Sequence, residues 1–264
     1  MKLPPALILF LCLFLTACHT FATPKPESRT LTIFAAASLT DAFTEIGTAF
    51  ESVNPGVTTT FNFAGSQALE TQIEEGAPVD VFASASGREM DALVTGNFVA
   101  ADAVQVFLTN ELIVILPADN PAMLGSLEDL AKPGIKLVFA SEEVPAGKYT
   151  RQALDLMDTS FGHGFKDMVL ANIVSNEENV KQVVAKVQLG EADAGIVYVS
   201  DSIAASNLNS IAIPANLNVV AKYPIVPLVK SKNAELAAQF IDFVLSAEGQ
   251  AVLAKWGFAP AKKF

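Results

Sequence analysis

From Leu31 onward the chain alternates short apolar runs with amphipathic stretches, and small residues mark most of the junctions. Leu31-Thr-Ile-Phe-Ala-Ala-Ala-Ser38 begins as a run of strand formers and leads into a helix. In that helix Leu39, Ala42, Phe43, Ile46 and Phe50 recur at helical spacing. Ser38 stands where an N-cap belongs, with Asp41 three residues on, close to a capping box. Val57–Phe63 alternates with period two, so Val57, Thr59, Phe61 and Phe63 share a face. Ala64-Gly65-Ser66 then turns the chain into a helix over 67–75, with Leu69 and Ile73 inward and Gly76 at its C-terminal end. Residues 80–85 read as a third strand and 87–94 as the helix that follows.

The second half repeats the pattern in kind. Residues 111–116 form an apolar strand halted by Pro117, and 126–130 a short capped helix. The strand 136–140 leads into Ser141-Glu-Glu-Val-Pro-Ala-Gly147 and a helix from about 148 to 157, with Tyr149, Ala153 and Leu156 on its apolar side. A helix over 179–189 turns Val180, Val183, Val184 and Val187 inward. The strand from Ala194 ends near Tyr198, with Ser200-Asp201 opening the next helix. Residues 219–229 are extended and broken by Pro224 and Pro227, and the close is helical over 234–245 and 247–256. Strand, small turn and helix in repetition predict an α/β fold with mostly parallel sheets. Leu112–Leu116 and Ile225–Val229 are the candidates for crossings between two lobes. One lobe would comprise 31–109 and 224–264, the other 110–223.

The first residues carry a location signal. Met1-Lys2 is followed by an uninterrupted apolar stretch from Leu7 to Leu15, too short to span a bilayer and suited to a signal-peptide core. It ends in Leu15-Thr-Ala-Cys18, which resembles the lipobox of bacterial lipoproteins, whose Cys becomes the lipidated N-terminus. The expectation is a signal peptide over 1–18, lipidation at Cys18 and a tether over 19–30. Ordinary cleavage near Ala22, discarding Cys18, is the alternative. Either way neither of the two cysteines serves a disulfide, a metal or nucleophilic catalysis in the mature chain.

Length and charge narrow the partners. A chain of 264 residues with 51% hydrophobic composition can bury a substantial core. A formal net charge of −11 makes nucleic acid and acidic membranes poor partners. It does not exclude a small anionic ligand, because salt screens charges beyond roughly 8 Å.

Four strand-to-helix turns are rich in small or hydroxyl residues: Ala37-Ser38, Gly65-Ser66, Pro145-Ala146-Gly147 and, more weakly, Asn179-Val180. In open α/β sheets ligands sit beyond the carboxyl ends of strands, and free N–H groups at helix starts suit anions. For any one turn, ordinary capping is the simpler account. Tyr198 alone reads as a half-buried core residue. Lys148 and Arg151 read as a solvated helix face, and the Glu142-Glu143 and Glu177-Glu178 pairs as outward-facing or helix-start charges. Catalytic patterns are sparse. The histidines are His19, in the processing region, and His163, between glycines. No G-x-S-x-G, G-x-x-x-x-G-K-[ST] or G-x-G-x-x-G motif occurs, and no cluster has metal-ligand spacing.

Phe34-Ala-Ala-Ala-Ser-Leu-Thr-Asp41, Gln72-Ile-Glu-Glu-Gly-Ala-Pro-Val-Asp80, Val144-Pro-Ala-Gly147 and Gly195-Ile-Val-Tyr198 with Ser200-Asp201 resemble the periplasmic molybdate-binding proteins of ABC transporters, within the type II periplasmic binding proteins. The resemblance runs from about Leu31 to Phe258. It implies a two-lobe α/β fold with molybdate or tungstate held between the lobes by neutral hydrogen bonds. The implied donors are the N–H and hydroxyl of Ser38 and of Ser66, the N–H groups of Ala146 and Val180, and the Tyr198 hydroxyl.

The resemblance further implies no cofactor, no direct metal ligand and no catalysis. It points to a permease partner, a monomer, and an extracytoplasmic location, with the lipid anchor as membrane contact. Two departures stand out. Ala64-Gly65-Ser66 has fewer serines than many relatives, and Ser86 occupies a place where Asp is common. Carboxylate coordination of the archaeal kind finds no matching Asp or Glu. Another oxyanion, sulfate or phosphate, is the alternative ligand. An enzyme on the same scaffold, resting on His163, is the alternative of a different class.

Overall fold

The structure, a computed structural model, describes residues 28–261; Cys18, the signal segment and most of the expected tether lie outside them. Strands β1 (Arg29–Ala36), β2 (Val57–Ala64), β3 (Val81–Ala83) and β4 (Gln105–Asn110) come first. They are followed by β5 (Leu112–Leu116), β6 (Leu137–Ala140), β7 (Ile173–Glu177), β8 (Ala194–Tyr198) and β9 (Asn209–Ala212). β10 (Ala221–Pro227) and β11 (Ala259–Pro260) close the series. They fall into two sheets, β11-β4-β10-β3-β1-β2 and β7-β6-β8-β5-β9.

Each sheet is mixed, where mostly parallel sheets were expected. β1 pairs in parallel with β2 and β3, and β6 with β7 and β8. The antiparallel pairings involve β10 with β3 and β4, β11 with β4, and β5 with β8 and β9. β5 and β10 are strands where the chain has just changed sheets, so they enter against the local direction. The two apolar runs expected to be crossings, Leu112–Leu116 and Ile225–Val229, therefore contribute strands to the sheets. The chain passes between sheets at Glu111 and again over 213–220. Asn218 ties the two passages, accepting from the Leu112 N–H at 3.1 Å and donating to the Leu112 carbonyl at 2.8 Å.

Helices α1 (Thr40–Val53), α2 (Ser66–Glu74), α3 (Gly87–Thr95), α4 (Pro145–Phe161), α5 (Phe165–Ala171), α6 (Val180–Gln188), α7 (Val199–Ala204), α8 (Ala234–Leu245) and α9 (Ala247–Lys255) flank the sheets. On one side of the first sheet α1 and α8 bury a phenylalanine cluster. Phe240 meets Phe50 edge-on at 5.3 Å and Phe43 at 6.0 Å. On the other, Leu69 and Ile73 of α2 and Met90 and Leu93 of α3 pack with Phe34, Phe82 and Val226. In the second sheet α6 buries Val180, Val183, Val184 and Val187, as their spacing predicts, and Val183 and Val187 lie against Gly195 of β8.

Ser126 and Asp129 do form a capping box, there on a short 3-10 helix, Leu127–Ala131. Helix α4 is longer than the 148–157 reading, because Pro145 occupies its first turn, where the missing N–H costs nothing. Its buried face is Thr150, Ala153, Leu154 and Met157, and Leu156 is exposed, contrary to expectation. β4, α5, β7 and β9 had no clear sequence signal. β7 and β9 are edge strands with largely exposed residues, so neither shows a buried-strand pattern.

Candidate functional site

The parallel strands deliver their carboxyl ends to one place. β1 leads into a 3-10 turn, Ala37–Leu39, before α1 begins. β2 leads through Gly65 into α2, β6 through the 141–144 turn into α4, and β7 through Glu178 and Asn179 into α6. A small, nearly closed pocket is lined by Ser38, Ser66, Ala146, Val180 and Tyr198 together with Ala37, Gly65, Ala85 and Asn179. All five residues singled out from the sequence thus meet around one volume, and all five are buried. Among the described residues, the lining includes no charged side chain.

The helix starts explain the chemistry. The first N–H groups of an α-helix have no acceptor within it, and the macrodipole adds partial positive charge. Ser66 is the first residue of α2, Ala146 the second of α4 and Val180 the first of α6. Asn179 caps α6 by accepting from the Gln182 N–H at 3.2 Å, which keeps that end regular. Gly147 is needed for α4 to start where it does. A Cβ there would lie 2.0 Å from the Ser141 carbonyl oxygen and 2.4 Å from that of Ala140. Arg151, expected on a solvated face, is instead largely covered and holds this turn. Its guanidinium donates to the Ala140 and Gly147 carbonyls at 3.2 and 3.0 Å and pairs with Glu142 at 2.9 Å. Lys148 is exposed, as expected.

Ser38 is not the N-cap that its spacing suggested. The 3-10 turn makes Leu39 the residue before α1, and no side chain caps that helix. Ser38 Oγ instead lies 2.9 Å from the Tyr223 hydroxyl, and the Asp41 carboxylate accepts from Lys181 at 2.7 Å. Ser66 Oγ accepts from the Ala85 N–H at 3.0 Å, so its own proton is free to point at the pocket. Tyr198, at the end of β8, has a fully buried hydroxyl with no hydrogen-bond partner among the described residues. Burial, followed by the neighbouring Tyr223, Tyr149 and Asp201, holds its phenol well above the ordinary value, so it stays a neutral O–H donor.

Both sheets' elements touch over the pocket. Gln67 donates to the Glu178 carbonyl at 3.2 Å, Arg88 pairs with Glu143 at 3.1 Å, and Lys181 reaches Asp41. Lys181 also lies 3.6 Å from the buried Asp201, which accepts from the Tyr198 N–H. Glu177, expected to face outward or to serve as a helix-start charge, is buried at the end of β7 and paired with Lys186 at 2.7 Å. Ser86 donates to the buried Glu89. His163 is exposed, between two glycines of positive φ, and does not line the pocket. No group of His, Cys, Asp or Glu among the described residues could hold a metal ion.

Tyr223, Asn110 and Lys181 were not picked out by sequence. Tyr223 and Asn110 lie in strands whose hydrophobic pattern says only that they are extended. A lysine after a helix start carries no sign of reaching another element.

Residues 31–259 match the family of bacterial extracellular solute-binding proteins. The molybdate-binding protein ModA of Mycobacterium tuberculosis is 38% identical over 239 residues, covering 90% of this chain and 87% of that protein. ModA of Escherichia coli is 32% identical over 235 residues, covering 86% and 88%. The solved periplasmic molybdate-binding protein of Azotobacter vinelandii superposes with a TM-score of 0.77 at 20% identity, covering 88% of this chain and all of that one, which supports the fold.

Proposed function

The chain belongs to the bacterial extracellular solute-binding proteins and, with its ModA relatives, to their molybdate-binding branch, and from that premise we propose that it captures molybdate or tungstate outside the cytoplasm and hands it to an ABC permease. The observation that carries the reading is the buried, unpartnered Tyr198 hydroxyl in a pocket rimmed by three helix starts. A buried donor without an acceptor is costly, and a tetrahedral oxyanion supplies one. The donors are the N–H and hydroxyl groups of Ser38 and Ser66, the N–H groups of Ala146 and Val180, and the hydroxyl of Tyr198.

Hydrogen bonds to a charged group contribute about 1.5–3 kcal/mol each, so several together hold a dianion without a countercharge. The metal arrives inside its oxyanion as cargo and needs no protein ligand. The protein acts as a monomer, carries no resident cofactor and catalyses nothing. The sequence Leu15-Thr-Ala-Cys18 supports a lipid anchor, with the body on a short tether. Size separates molybdate from sulfate, since the two share charge and shape.

The test is thermal unfolding against molybdate, tungstate, sulfate and phosphate. A ligand at a hundred times its Kd adds about 2.7 kcal/mol, a rise of several degrees for a chain of this size. Molybdate and tungstate should raise Tm and sulfate should do so weakly or not at all. A panel in which no oxyanion raises Tm would overturn the reading.

A further inference from the structure

We propose that the protein takes up a proton together with its oxyanion, at the Asp201 carboxylate of a three-charge cluster beside the pocket. The inference rests on the site proposed above and adds a second ligand, the proton, to it.

The cluster holds two carboxylates and one ammonium. Lys181 Nζ lies 2.7 Å from Asp41 Oδ2 and 3.6 Å from Asp201 Oδ1. Each member stands within three residues of a pocket-lining one: Asp41 after Ser38, Lys181 after Val180 and Asp201 after Tyr198. The two acids are not equivalent. Asp41 is partly exposed and takes the short bond to Lys181. Asp201 is fully buried, and its Oδ2 accepts from the Tyr198 N–H at 3.3 Å. Its Oδ1 has no hydrogen-bond partner among the described residues. One ammonium thus answers Asp41 closely and leaves Asp201 as the buried charge that is poorly matched.

The other groups packed around Asp201 among the described residues add no charge. Tyr198 of β8 and Tyr223 of β10 are phenols that burial keeps neutral. The 3-10 turn Ala37–Leu39 holds no ionisable side chain. Glu111 is exposed and meets α7 through its backbone carbonyl, which accepts from the Val199 N–H at 2.9 Å. With both acids ionised, two carboxylates and one ammonium leave the cluster one net negative charge. A dianion in the pocket meets that charge across a lining without charged side chains, where little screens it. A proton from solvent on Asp201 brings the cluster to zero and removes the repulsion. Burial already raises this carboxyl to about 6, and the dianion raises it further. Affinity is therefore highest and level below about pH 6, falls as pH rises towards the higher pKa of the complex, and levels again above it.

Calorimetry of molybdate binding across this pH range, in pairs of buffers with different ionisation enthalpies, counts the protons taken up. The parent should take up a fraction of a proton, greatest near about pH 7, and its affinity should fall about tenfold from about pH 6 to 8. Asp201→Asn keeps an acceptor for the Tyr198 N–H, and it should bind with no uptake and with an affinity that does not change across the range. Asp41→Asn, at the partly exposed member, leaves Lys181 to Asp201 alone and should move the uptake to lower pH, whatever it does to affinity. Thermal unfolding checks each variant, and Asp41→Asn decides the matter if Asp201→Asn does not fold. Binding by the parent without uptake, uptake that persists in Asp201→Asn, or uptake unmoved in Asp41→Asn would overturn the inference and leave the site standing. A parent that binds no molybdate at any pH would mean that the site is misassigned, and the inference falls with it.

Discussion

The Lys181 ammonium, carried by the second residue of α6, lies 2.7 Å from the Asp41 carboxylate in the first turn of α1. Each residue sits beside a pocket-lining turn, Lys181 next to Val180 and Asp41 three positions beyond Ser38. The pair therefore joins the two walls of the cleft at its edge. Both side chains are about a third exposed, so solvent screens the attraction to about 0.5–1 kcal/mol. Lys181→Met should weaken molybdate binding severalfold, mainly through faster release, and stopped-flow dissociation rates would show it. A slower or unchanged release would mean that Lys181 does not help hold the two walls on the ligand.

Tyr198→Phe should separate affinity from stability. The variant deletes a buried donor that has no partner within the protein, so the ligand-free protein should be as stable or more stable by up to about 1 kcal/mol in urea unfolding. Molybdate affinity should nonetheless fall by about 1.5–3 kcal/mol. Loss of both together would mean that the hydroxyl has a structural partner.

Val180 is expected to contribute only its N–H, and its position allows that group to be deleted. As the first residue of α6 it occupies the place where proline is tolerated, and Asn179 before it is already extended (φ −163°, ψ 167°). Val180→Pro should keep the helix by circular dichroism while weakening molybdate roughly tenfold or more. Unchanged affinity would take this N–H out of the ligand shell.

How much of this could be read in the chain depends on what each residue's role leaves in the pattern. α6 was legible because Val180, Val183, Val184 and Val187 are an apolar stripe with one period. The five pocket residues were legible as strand-to-helix turns and through their resemblance to a known set. Ser38 does line the pocket, with a different local partner from the one its spacing suggests. Its spacing to Asp41 signals a capping box, while a tyrosine 185 positions away takes the hydroxyl. Arg151 and Glu177 were misread for the same reason, since an ion pair made across elements leaves no mark on local sequence. Mixed sheets were missed because strand direction follows from where the chain changes sheets.

Asp201 gives the protein an unusual acid response. Burial raises its pKa from the ordinary 3.8 to about 6, with Lys181 pulling it back and Asp41 adding to the rise. Between about pH 4 and 6 the folded state therefore binds more protons than the unfolded state at this group. Its contribution to stability falls as pH rises through that window. Asp201→Asn should be more stable than the parent at neutral pH, by about 2–3 kcal/mol at most, with the advantage disappearing below about pH 4. Urea midpoints of the two proteins across that range would check it. A difference that does not vary with pH would show that the Asp201 carboxylate does not titrate there.

Gly65 stands where β2 hands over to α2, and a Cβ on it would lie 2.5 Å from the Glu178 carbonyl oxygen of the facing wall. The absent methyl group is the clearance that lets the walls meet. A residue with no chemistry of its own thus sets how closely the two walls approach. With Gly65→Ala the two walls would stand farther apart. The Ser38 and Ser66 side could still dock an oxyanion while Ala146, Val180 and Tyr198 stayed out of reach. Such a protein would hold its ligand from one wall only, and it would show whether handover to the permease needs both walls on the ligand.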